Sequence, residues 1–70
     1  MSGTVKKVLD QIISARSGGN PTLALTTKTK LIIKGLNPDE FTFQTEDNPA
    51  TVEKAYIIAK EMGIELKGIH

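Results

Sequence analysis

Three stretches of this chain open and close on matching helix punctuation at a single spacing. Thr4 to Gly18, Pro21 to Gly35 and Pro49 to Gly63 each span fourteen positions. A polar cap or a proline at the first helical position, with glycine just past the last, is the asymmetry of helix ends. In a chain of 70 residues this leaves little besides three similar helices and their connections. No sequence repeat accompanies the shared punctuation. The expected fold is therefore all-α: a small three-helix bundle over about 4–17, 21–34 and 49–62, forming one domain across 1–70, with a long loop over 36–48.

The first stretch has the clearest internal support. Val5, Val8, Leu9, Ile12 and Ile13 recur at three- and four-residue steps, with Lys6, Lys7, Asp10, Gln11 and Ser14 opposite, which is the pattern of an amphipathic helix. Thr4 is the expected cap, Lys6 and Asp10 an i, i+4 ion pair, and Gly18 with Gly19 the stop. Arg16 sits over the apolar stripe and is expected to lay its stem along it. In the third stretch Asn48 caps and Pro49 supplies a preset φ. Val52, Ala55, Tyr56, Ala59 and Met62 share a face, and Gly63 followed by Ile64 ends the helix. Ile57 falls outside that face, among Glu53, Lys60 and Glu61.

The middle stretch carries two conflicting signals. Its ends, Asn20-Pro21 and Gly35-Leu36 with Pro38 beyond, say helix. Its interior alternates, with Leu23, Leu25, Thr27, Thr29, Leu31 and Ile33 on one side and Ala24, Thr26, Lys28, Lys30, Ile32 and Lys34 on the other, which says strand. Four Thr and two Ile also favour extended backbone. A strand of this length is about twice the usual, and no Gly, Asn or Pro breaks residues 22–34 into a hairpin. The punctuation prevails in this reading. The alternative is an α+β fold with a small antiparallel sheet, about 22–35, 41–45 and 64–69, covered by two helices.

The long loop holds two of the three aromatic residues, Phe41 and Phe43. They are expected to anchor it on the core, or else to form an exposed recognition patch together with Ile57. The loop also gathers Asp39, Glu40, Glu46 and Asp47. No calcium-loop spacing is present; Glu46 and Asp47 suit the approach to a helix N-terminus, and Asp39 suits a turn after Pro38.

Composition narrows the chemistry. The chain has no cysteine and one histidine, His70 at the final position. Structural zinc needs four Cys or His ligands, and a nucleophilic triad needs a well-placed base. Neither requirement is met, so no enzyme activity, metal or cofactor is expected. Ser17-Gly18-Gly19-Asn20-Pro21-Thr22 lacks the spacing of a phosphate loop and reads as a connector. No apolar run approaches bilayer length, and the N-terminal residues do not form an export signal, making the cytoplasm the expected compartment. A domain this small buries about 60% of its unfolded surface, so a homo-oligomer is a natural expectation.

Net charge is +1, but residues 1–36 carry six Lys or Arg against one Asp, and residues 37–70 three Lys against seven Asp or Glu. Two function classes follow. The first is a non-catalytic interaction or regulatory module that self-associates or docks on a protein, through Ile57, Phe41 and Phe43. The second is a nucleic-acid-binding domain using the Lys/Thr-rich segment 26–34, with Lys28, Lys30 and Lys34 on phosphate. Fold discriminates between them. A strand would gather these lysines on one face, whereas a helix pairs Lys30 with Lys34 and turns Lys28 about 120° or more away.

Overall fold

The computed structural model describes residues 3–42 and 44–66. These residues form three helices, α1 (Thr4–Ser17), α2 (Pro21–Ile33) and α3 (Pro49–Glu61), and a 3-10 turn at Pro38–Glu40. No strand occurs among the described residues, so the α+β alternative is set aside. The helical reading of the middle stretch holds, and α2 and α3 each end one residue earlier than expected. Lys34 and Met62 are their C-caps.

The ends of α2 explain why it is a helix despite its alternating interior. The Asn20 side chain accepts from the Thr22 and Leu23 amides at 2.9 and 3.3 Å, and Pro21 fills the first helical position. At the other end Gly35 adopts φ +95°, which lets Leu36 N–H reach back to Leu31 C=O at 2.9 Å. Leu36 then buries its side chain in the core. This is the six-to-one closure of a Schellman stop with its hydrophobic contact. Gly63 and Ile64 repeat the device after α3, with Ile64 N–H on Ala59 C=O at 2.9 Å.

Helix α1 is the shared packing partner: its backbone lies against both α2 and α3, which do not approach each other closely along their lengths. The core accordingly draws Val5, Val8, Leu9 and Ile12 from α1, Ala55, Ile58 and Ala59 from α3, Leu36 from the connection, and from α2 only Leu31. Each large side chain fully buried this way contributes about 1.5–3 kcal/mol of transfer free energy. Phe41 packs against the cluster from the loop, as do Ile13, Val52, Tyr56 and Met62. The expected face of α3 did not include Ile58, which is buried; the core runs along the Ala55–Ala59 side, with Val52 and Tyr56 only half-buried.

One expected cap is corrected. Thr4 is the first residue inside α1, and the preceding Gly3, at φ 81°, offers no side chain. The first free amide is served from 43 positions away. Asp47 accepts from the Thr4 backbone N–H at 2.9 Å and from its hydroxyl at 2.5 Å. Asp47 was expected to serve the N-terminus of α3, but Asn48 alone caps that helix, accepting from Ala50 N–H at 3.0 Å. Gly3 N–H on Thr45 C=O, at 2.9 Å, adds a second tie between the loop and the start of α1.

Candidate interaction surface

Among the described residues five large apolar side chains are exposed, and four lie on α2: Leu23, Leu25, Ile32 and Ile33, with Leu25 at 66% and Ile33 at 79%. The geometry follows from the conflict in its sequence. A period of two wound onto a period of 3.6 cannot place every apolar residue on one side. Thr27 and Leu31 turn inward and are buried. Leu25, Thr29, Ile32 and Ile33, at spacings of four, seven and eight, turn outward together as one stripe.

The threonines make this stripe more apolar than its composition suggests. Thr29 Oγ1 donates to Leu25 C=O at 3.0 Å and Thr26 Oγ1 to Thr22 C=O at 3.0 Å. Thr27 does the same within the core, donating to Leu23 C=O at 2.8 Å. A hydroxyl turned onto the carbonyl four residues back has no remaining need of a donor contact with water and presents its methyl outward. No charged residue interrupts the stripe. Lys28 and Lys30 border it: Lys28 pairs with Asp39 at 2.7 Å, while Lys34, further round the helix, pairs with Glu61 at 3.3 Å.

The residues singled out from the sequence are not brought together. Ile57 is 49% exposed on α3, as its position off the apolar face implied. Phe41 is half-buried against the core, in the anchoring role expected of it. Phe43 and His70 lie outside the described residues. Being helical, the 26–34 segment does not assemble a lysine cluster: Lys28 faces Asp39, and Lys34 faces Glu61 across the gap to α3. The alternating pattern of the sequence does not display the stripe. A helical wheel drawn for residues 21–33 was the available signal, since it puts Leu or Ile on opposite sides.

A second surface feature is an open groove of about 460 Å³ lined by Thr4, Asp47, Pro49, Val52, Glu53 and Tyr56. Asp47 at its edge is committed to Thr4. The hydroxyl hydrogen bond, helped by the Thr4 amide and the Lys7 charge, holds the Asp47 carboxyl below its ordinary pKa against partial desolvation. No group of three or more His, Cys, Asp or Glu suited to a metal comes together among the described residues. None of the described helices is long and apolar enough to cross a membrane. The chain matches no protein-family model, no curated protein and no solved structure.

Proposed function

We propose that this protein is a non-catalytic interaction module whose contact surface is the outer face of α2. The observation that carries this reading is the uncharged stripe Leu25, Thr29, Ile32 and Ile33, with its two end residues 66% and 79% exposed. Single exposed apolar residues are ordinary on a protein surface; a run of them at helical spacing with no intervening charge is how a helix face meets a partner. Ile57, alone among charged neighbours, becomes a secondary position. The residue inventory supports the non-catalytic half of the reading: one histidine at the last position and no cysteine leave few groups for acid–base or nucleophilic work.

Photo-crosslinking from within the cell tests this. A benzophenone side chain placed at Ile33 of the full chain is expected to give discrete protein adducts, and one at Lys60 is not. If Ile33 yields no more adduct than Lys60, α2 is not a contact surface and the reading fails.

A further inference from the structure

We propose that the groove at the start of α3 binds a small organic cation: a singly charged ammonium carrying an apolar body the size of an aromatic ring. This site is separate from the outer face of α2, and neither depends on the other.

One stripe of α3 builds the groove. Pro49, Val52, Glu53 and Tyr56 stand at spacings of three, four and seven residues and so share a face, with Thr4 and Asp47 beside the first of them. The surface they offer is mostly carbon, from the Pro49 ring, the Val52 methyls and the Tyr56 ring. Val52 and Tyr56 are only half-buried by the fold, so an apolar group that covers the rest of them is held by its removal from water.

Charge selects what that group is attached to. The only charged residues lining the groove are Asp47 and Glu53, and they are not equivalent. Asp47 accepts from Thr4 through both oxygens and feels the positive charge of Lys7, so its charge is already answered. Glu53 is exposed and makes no ion pair among the described residues. One unanswered carboxylate beside an aromatic ring matches one ammonium, which the Tyr56 ring also attracts. An anion would meet only carboxylates here. A hard metal ion takes about six or more oxygen ligands, which a lining of carbon cannot supply.

Size separates a small molecule from a peptide. Pro49 to Tyr56 spans about 10 Å along the helix, room for one anchored group, whereas docked strands and helices use several anchors along a longer track. The groove volume of about 460 Å³ falls within the range of small-molecule sites.

The test follows amide chemical shifts of the full chain during titration with phenethylammonium up to about 10 mM. Saturable shifts are expected at Thr4, Val52, Glu53 and Tyr56, with a dissociation constant of about 1 mM, as suits a ligand this small. Phenethyl alcohol, of the same shape without the charge, should bind about threefold more weakly or worse, and the anion phenylpropionate should not saturate. Asp47 is unsuited to substitution because it starts α1. Glu53 is exposed, so its variants are expected to keep the fold, which far-UV circular dichroism checks. Glu53→Gln should weaken amine binding by about threefold to fivefold and Glu53→Lys by about tenfold or more. Glu61→Gln, on the same helix but outside the groove, should leave binding unchanged. No saturable shift over this range, equal binding of amine and alcohol, shifts centred away from the groove, or equal weakening by Glu53→Gln and Glu61→Gln each overturns the site. None of these outcomes bears on the photo-adducts of Ile33, so the two readings fail separately.

Discussion

Helices α1 and α2 lie side by side, with 14 and 13 residues, yet they are helical for different reasons. In α1 the side-chain pattern and the backbone agree: Val5, Val8, Leu9 and Ile12 fall on one face, and that face is the core. Its N-terminal cap is borrowed from a distant loop. In α2 the pattern disagrees with the backbone, its caps are local and complete, and one large side chain, Leu31, reaches the core. Thus α1 is held by its face and α2 by its ends. A helix specified from its ends is free to carry apolar residues outward, and in α2 it does.

The sharpest way to break this comparison is to shorten leucines to alanine. Leu9→Ala and Leu31→Ala remove fully buried side chains and are each expected to cost about 2–5 kcal/mol. Leu25→Ala, in the same helix as Leu31, should change stability by no more than about 0.5 kcal/mol. Urea denaturation checks all three. A large loss at Leu25 would mean that α2 packs through the face assigned here to solvent.

Next comes the borrowed cap. Asp47→Ala removes both hydrogen bonds that start α1 and should lower the thermal midpoint. The loss depends on pH in a set direction. The carboxyl titrates below its ordinary value in the folded chain, so its contribution is fully present above the ordinary carboxylate range. It declines as pH falls through that range to the lowered folded value. The wild type and Asp47→Ala should therefore differ by a constant amount near neutrality and converge in acid. Separation of the two curves that persists at the acid end would place the effect in packing rather than in the carboxylate.

This contrast also marks how much of the fold the sequence discloses. The starts of α2 and α3 and both glycine stops are visible because capping is local chemistry: Asn20 and Asn48 act within three residues of themselves. The Asp47–Thr4 cap spans 43 positions, so no local rule reaches it, and Thr4 takes the role by default. Ile58 escapes the predicted face because a wheel centred on Val52 and Tyr56 turns it aside. The buried side of α3 is instead the one that carries Ala55, Ile58 and Ala59. The α2 stripe was hidden for a related reason. The every-other-residue pattern that places Leu23, Leu25 and Ile33 on one side of a strand does not tell where a helix puts them.

A smaller test bears on the claim that α2 is held by its ends. Asn20→Ala deletes the acceptor for two amides and is expected to cost about 1 kcal/mol, concentrated in early amide exchange at Thr22 and Leu23. Uniform exchange along α2 would argue that side-chain packing, not the cap, sustains it.

The smallest expected effect has the most telling sign. If the interior of α2 opposes its backbone, replacing its exposed threonines should help. Thr26→Ala and Thr29→Ala exchange a poor helix former for the best one. Each also loses a hydroxyl bond to the helix's own carbonyl, which a mid-helix threonine makes at little net gain. Each should stabilise the monomer by about 0.3–0.6 kcal/mol. Thr27→Ala offers the same gain in propensity but empties a site that is 5% exposed, so the lost methyl contacts offset it and the change should be neutral or destabilising. Three identical substitutions within four residues of one helix then split in sign by the direction each side chain faces. Urea midpoints for the three variants resolve that split, and if all three lose stability, the threonines support the helix and its ends are not what decides it.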